Sequence, residues 1–200
     1  MTNYSDEHLM SSLIEERDLG AFEELLTRYE KRLLIYIIRL VGDYHRAQDL
    51  FQETFYRIYK HRKSFNPDLR FSTWAYRIAT NLCINELKRK KHELELPIED
   101  ISLGKVYSHR PPKGVNKMLS NPSAEGKLIK KDLEDKIRDL VKSLPEKLRS
   151  IFILSKYQGL SNQEIAQILE MPLGTVKSRL RQGFKLLLEL IEKRGLIDEL

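Results

Sequence analysis

Residues 175 to 188 read TVKSRLRQGFKLLL and contain no acid. Lys177, Ser178, Arg179, Arg181, Gln182 and Lys185 are hydrogen-bonding groups of the kinds that read DNA. A guanidinium can give two donors to guanine O6 and N7, and a glutamine amide can pair with adenine. Lysine and serine hold phosphates. At about 100° per residue, Lys177, Ser178, Arg181, Gln182 and Lys185 share one side of a helix, with Arg179 on its flank. Val176, Leu180, Gly183, Phe184, Leu187, Leu188 and Ile191 fall on the other side and are expected to be buried. A second group stands in FSTWAYRIATNLCINELKRKK, residues 71 to 91. Phe71, Ala75, Ile78, Ala79 and Leu82 lie within about 100° of one another and form a core stripe. Trp74, Arg77, Asn81 and Lys88 make a strip along its edge. Aromatics stack on bases that have left the duplex, asparagine reads a base edge and cations hold phosphates, which suits single-stranded or melted DNA.

Each of these groups also has a plainer reading. A tryptophan beside an apolar stripe is more often core than a stacking platform. Asn81 can be a solvated amide, and the run Lys88 to Lys91 can be a solvated helix end favoured by the helix dipole. A membrane-surface helix needs a broad apolar face opposite a basic one, and Glu86 and the asparagines interrupt it. The basic face of residues 175–188 can belong to a simple helical hairpin. Cys83 is the only cysteine. It has no evident His–acid partner, so a buried, inert thiol is expected. The sequence holds no HExxH, no Gly-rich phosphate loop and no clustered carboxylates among strands, so no catalytic residue, metal or cofactor is expected.

The elements that must position these residues all read as helices. From Asp18 to Leu40, apolar residues recur every three and four positions through Phe22, Leu25, Leu26, Tyr29, Leu33 and Tyr36–Ile37. Gly42-Asp43 breaks the pattern, which resumes from Asp43 to Arg62. Ser64 to Asp68 is a turn. Pro-, Gly- and Lys-containing residues 92–126 lack periodicity and are expected to be a flexible linker. Helical patterning returns over Leu128 to Val141, and again from Pro145, in its first turn, to about Tyr157. Ser161 and Glu164 have capping-box spacing ahead of a short helix with Ile165, Ala166 and Leu169 as its buried face. Met171 to Gly174 is expected as a turn, and the last helix stops at Gly195. Helix, tight turn and helix make a helix-turn-helix. The expected fold is all-α: two small helical domains joined by a flexible linker. Its parts are an N-terminal arm at 1–17, a first domain at 18–91, the linker, a second domain at 127–195 and a tail at 196–200.

Composition agrees with this. The 200 residues are 41% hydrophobic and 32% charged, which suits a globular chain rather than a disordered one. The net charge of +6 suggests an anionic partner. No apolar run approaches the roughly 18–20 residues that span a bilayer, and the acidic, polar N-terminus is unlike a secretory signal. A reducing cytoplasm fits the lone cysteine.

In combination, the motifs resemble those of the extracytoplasmic-function (ECF) sigma factors, the small two-domain branch of the sigma-70 family. AQDLFQETF (47–55) is similar to that family's core-polymerase-binding helix. FSTWAYRIATN (71–81) is similar to its melting and −10 segment. SLPEKLRSIFIL (143–154) and LSNQEIAQILEMPLGTVKSRL (160–180) are similar to its −35-binding domain. The resemblance implies that Asp49, Gln52 and Glu53 dock on the clamp coiled coil of the largest subunit of core RNA polymerase. Their spacing of three and four puts them on one face, and an acidic patch suits a basic docking helix. It implies that Phe65 and Asn81 line a pocket for a flipped −10 base, with Trp74, Arg77 and Lys88 beside it. Lys177, Ser178, Arg179, Arg181 and Gln182 would read the −35 duplex. Many members carry further arginines where this chain has Gln182 and Phe184, and Phe184 is expected to pack inward. The implied partners are core polymerase, its flap region included, promoter DNA and an anti-sigma factor, without membrane insertion. The implied linker threads through polymerase toward the active site and RNA exit path. Two rivals remain: an autonomous helix-turn-helix regulator, and an enzyme with a DNA-binding tail.

Overall fold

Helix ends fall where the local chemistry places them. The computed structural model describes residues 4–95 and 136–196, and every α or 3-10 segment there is helical with no strand among them. Asp18 opens helix α2 (Leu19–Val41) by accepting from the Gly20 N–H at 2.8 Å. Gly42 closes it at φ 77°, a left-handed geometry that a side chain disfavours. Asp43 opens α3 (Tyr44–Lys60) by accepting from the Arg46 N–H. A 3-10 turn (Arg62–Ser64) and an Asn66 side chain that accepts from the Asp68 N–H shape the next loop. Helix α4 (Phe71–Glu95) follows. It runs past the expected end at Lys91, so the expected linker begins as helix. The remainder of that linker, residues 127–135 and residues 197–200 lie outside the described residues.

An element also precedes Asp18. Residues expected as a short polar arm or helix contain α1 (Asp6–Glu15), capped by Ser5. Leu9, Met10 and Leu13 of α1 are buried. Asp6 binds Arg28 at 2.8 Å and accepts from the Tyr29 hydroxyl. Glu7 accepts from the Phe71 N–H at 3.0 Å, so α1 caps α4 from outside that helix. Four strongly apolar positions, Leu9, Met10, Leu13 and Ile14, mark α1 in the sequence, over too short a stretch to fix a helical period.

Helices α1 to α4 enclose the first core. Tyr36 and Tyr76 are fully buried and meet edge to face at 5.1 Å. The Thr80 hydroxyl donates to the Tyr76 carbonyl, which leaves its oxygen to accept from the Tyr36 hydroxyl at 2.7 Å. The buried side of α4 is wider than the stripe through Phe71 and Leu82. It includes Tyr76, Thr80 and Cys83, while Ile78 is only half-buried. Burial, followed by the Glu86 charge, pushes the Cys83 thiol up to about 12. It is inert in this setting.

The second module comprises α5 (136–143), α6 (Glu146–Lys156), α7 (Asn162–Ile168) and α8 (Leu173–Lys193). Pro145 sits just before α6, at its N-cap rather than inside its first turn. Ser161 and Glu164 form the capping box in both directions. The turn after α7 is tighter than expected. Pro172 is the N-cap of α8, so Leu173 and Gly174 are already helical. Glu170 takes the left-handed conformation, φ 50°, that turns the chain. Ile165 and Ile168 carry the buried face of α7, and Leu169 is only partly covered. On α8, Val176, Gly183 and Leu187 are buried as expected, but Leu188 is 58% exposed. Phe184 is 37% exposed and leans edge-on against Phe152 at 5.3 Å, so it does not pack fully inward.

Candidate nucleic-acid interface

On α8, Lys177, Ser178, Arg181, Gln182 and Lys185 are exposed on one side. The Ser178 hydroxyl donates to the Thr175 carbonyl, and Arg179 is half-buried with its guanidinium 3.7 Å from Met171 Sδ. Val176 fixes the helix against the module's core, so the rest of the turn points outward. The Ser161 bonds, backbone first, and the nearby Arg70 hold the Glu164 carboxyl below its ordinary range. The cap that orients α7 is thus ionised at neutral pH.

On α4, Asn81 and Lys88 are exposed, and Asn81 makes no side-chain hydrogen bond among the described residues. Trp74 is half-buried. Its ring lies 5.3 Å from Phe65 and 6.5 Å from Phe71. Phe65 itself is only 7% exposed, so loop, tryptophan and helix start form one aromatic cluster. The tryptophan therefore packs with one part against this cluster and leaves another part in water. Arg77 is not free. It binds Glu170 at 3.0 Å and donates to the Gln167 carbonyl at 2.6 Å, both in the other module.

On α3, Asp49 and Gln52 are exposed and Glu53 is partly so. Neither acid is bare. Asp49 stands 3.3 Å from Arg46, and Glu53 pairs with Arg57 at 2.7 Å. The same face continues one turn further to Tyr56, 57% exposed with the Lys60 ammonium 5.6 Å over its ring. The i+7 spacing from Asp49 was the available signal for Tyr56. Behind this face lies buried Glu86, which accepts from Arg46 at 2.9 Å and from Arg89 at 2.8 Å. Burial pushes its carboxyl up, but the hydrogen bonds and charges of Arg89 and Arg46 outweigh that and hold it at about 2.

The modules touch along two lines. Arg70 binds Glu164 at 2.9 Å, Arg77 binds Glu170, and the Tyr76 hydroxyl donates to Gln158 at 2.7 Å. Arg39 lies 3.9 Å over the Tyr157 ring, and Arg149 donates to the Leu40 carbonyl. Among the described residues, no group of three or more His, Cys, Asp or Glu could hold a metal. No helix there is long and apolar enough to cross a membrane.

A helical module with an aromatic, amide and cation edge, joined to a helix-turn-helix module, defines a class of two-module DNA-directed proteins. Two family models place it further: Sigma-70 region 2 matches residues 25–93 and Sigma-70 region 4 matches residues 134–187. The ECF RNA polymerase sigma factor SigW of Bacillus subtilis is 33% identical over 85% of this chain and 88% of its own. The RNA polymerase sigma-H factor of Pseudomonas aeruginosa is 31% identical over 90% of each chain. The ECF sigma-E factor of Escherichia coli K12 is 32% identical over 90% of this chain and 91% of its own. The chain belongs to the sigma-70 family, among its ECF sigma factors. Its fold is also that of CnrH, solved with the cytosolic domain of CnrY, at TM-score 0.68 and 19% identity over 95% of this chain and 99% of that one. RpoE of Bartonella quintana, solved with the anti-sigma factor NepR, aligns at TM-score 0.63 and 22% identity over 86% and 96%.

Proposed function

We propose that this sigma factor directs core RNA polymerase to bipartite promoters through three surfaces. Lys177, Ser178, Arg179, Arg181 and Gln182 on α8 read the −35 duplex. Phe65, Trp74, Arg77, Asn81 and Lys88 take the melted −10 strand. Asp49, Gln52 and Glu53, extended by Tyr56, dock on the clamp coiled coil of the largest polymerase subunit. Domain 18–91 carries docking and melting, and domain 127–195 carries −35 recognition and contact with the flap region. The single observation that carries this reading is the exposed side of α8 over residues 175–188, which holds no acid and stands behind a capped α7, the geometry that enters a major groove. The chain performs no covalent chemistry and takes no cofactor; polymerase makes the bonds. It works in the cytoplasm, where polymerase is. An anti-sigma factor is a further partner, supported by the NepR-bound relative. Two DNA modules on one chain gain avidity when their separation matches the promoter.

Reconstituted transcription tests the reading. Core polymerase with this protein should initiate from a subset of genomic fragments, and core alone should not. Asp49→Arg should abolish core binding with the fold intact, because Asp49 is 64% exposed and has only a 3.3 Å partner to lose. Undiminished core binding by that variant would refute the docking face.

A further inference from the structure

The loop that carries Phe65 is anchored at two ends, and α1 touches both. Before the loop stands the 3-10 turn Arg62–Ser64, and after it α4 begins at Phe71. Helix α1 packs on that turn and on α4. The half-buried Glu7 carboxylate accepts from the Phe71 N–H at 3.0 Å, across 64 positions of chain. The first amides of a helix have no partner inside it. The residue just before α4 is Arg70, whose side chain can only donate. A carboxylate brought by another helix therefore supplies the acceptor that the local sequence lacks, and its charge suits the positive end of α4.

The ring of Phe71 is fixed from the same source. Asp6, next to Glu7, accepts from the Tyr29 hydroxyl, and the Tyr29 ring meets Phe71 edge to face at 5.0 Å. Phe71 is wholly buried. Its ring lies 6.4 Å from Phe65 and 6.5 Å from Trp74, which are themselves 5.3 Å apart. Two neighbouring acids of α1 thus hold the backbone and, through Tyr29, the ring of one residue. That residue is the floor beneath both aromatic groups of the −10 surface. A loop held in its binding conformation loses less freedom when a base enters, and it discriminates better between bases.

We propose that α1 clamps both ends of loop 65–70 and that Glu7 is a positioning residue for −10 reading, an inference that rests on the −10 surface assigned above. Glu7 touches no DNA. It sets the start of α4, and so the place of Phe71 under Phe65 and Trp74. Without it the first turn of α4 frays, the ring cluster loosens and the pocket accepts more than one base. The −35 side of α8 has no part in this chain of contacts.

The test uses holoenzyme assembled from core polymerase and the full chain. Two libraries are built on one fragment that the parent holoenzyme transcribes, with the −10 base pairs randomised in one and the −35 base pairs in the other. Each template carries a barcode in its transcribed part, so sequencing the transcripts gives the base preference at every position. Preference is a ratio between templates, and a loss of stability that only lowers the amount of active protein leaves it unchanged. Glu7→Ala should flatten the strongest −10 preference by about threefold to tenfold, the scale of a lost helix cap. Its −35 preferences should stay within about twofold of the parent. Glu7→Gln keeps an oxygen that can accept from the Phe71 N–H and should retain the −10 preference. Glu15→Ala removes the same charge from an exposed position of α1 and should match the parent. Glu7→Asp keeps the charge but draws the carboxylate back by one methylene; it replaces Glu7→Ala if that variant yields no transcript, and it should flatten the −10 preference too. An unchanged −10 preference in these variants overturns the clamp and leaves the −10 surface standing. So does equal flattening at −10 and −35, or flattening by Glu7→Gln as deep as that by Glu7→Ala. A parent with no base preference at −10 overturns the surface and the clamp with it.

Discussion

Glu86 shows how one residue can be misjudged from its neighbours in sequence. It stands in a run that ends in four cations, where it shows in sequence only as an acid that interrupts an apolar face. In the fold it is buried beneath Arg46 and Arg89. Its carboxyl is held at about 2, below the ordinary value near 4.3. A depressed carboxyl stabilises the fold above its unfolded pKa and loses that contribution as pH falls through its folded pKa. The window is therefore from about pH 5 to about pH 2. Glu86→Gln should cost about 2–3 kcal/mol at neutral pH, and the gap to the parent should close across that window. Urea unfolding at a series of pH values measures it; a gap that does not change with pH would contradict the role given to the ion pairs. Trp74 was ambiguous for a different reason. Its position on the helix fits both core and platform; the structure packs it against Phe65 and Phe71 and leaves it half-buried.

At the level of elements, helix starts and stops were legible because caps are local chemistry. Asp18, Asp43 and Ser161 each satisfy amides within three residues, so no distant contact is needed to infer them. Helix α1 was legible only as a short polar arm or helix, with no sign of what it packs against. Its value lies in where Leu9, Met10 and Leu13 go, and in Glu7 reaching the start of α4. Leu13 is wholly buried. Leu13→Ala should therefore destabilise the first module by about 2–5 kcal/mol, measured by urea or thermal unfolding. A loss below about 0.5 kcal/mol would mean that residues 6–15 are the loose arm their sequence suggests. The outer part of α8 differed in the opposite direction. Periodicity assigns Leu188 to the interior, but the face that α8 buries runs through Val176, Gly183, Leu187 and Ile191, and Leu188 falls on its flank in water.

Across the whole molecule, Arg149 is the clearest link between modules. It donates to the Leu144 carbonyl from Nε at 3.2 Å and Nη2 at 3.0 Å, and from Nη1 to the Leu40 carbonyl at 3.1 Å. It thus closes the end of α5 and the end of α2 together. Burial pulls its pKa below the usual arginine value. Arg149→Met keeps most of the packing and strands carbonyls, at about 1–3 kcal/mol. The telling measurement is amide exchange. Protection should fall in the second module and also in the last turn of α2, on the other side of the contact. A change confined to the second module would mean that the Leu40 bond does not hold the modules together. No motif marks this pairing: Arg149 lies in SLPEKLRSIFIL and Leu40 ends the Asp18–Leu40 pattern, but the two are far apart in the chain and neither pattern points to the other.

The sequence by itself determined the helices after Asp18, most of their caps, the division into two modules and the family. Those depend on periodicity and on side chains that act within a turn of their own backbone. It also placed Asn81 and Gln182 on the outer sides of their helices, because helical phase sets direction. The tertiary structure decided what each cation does once it is there. Arg77 and Lys88 look alike on a helical wheel, yet Arg77 faces an acidic edge and Lys88 faces water. Charge is a property of the residue, but its partner is a property of whatever the fold brings within about 3 Å.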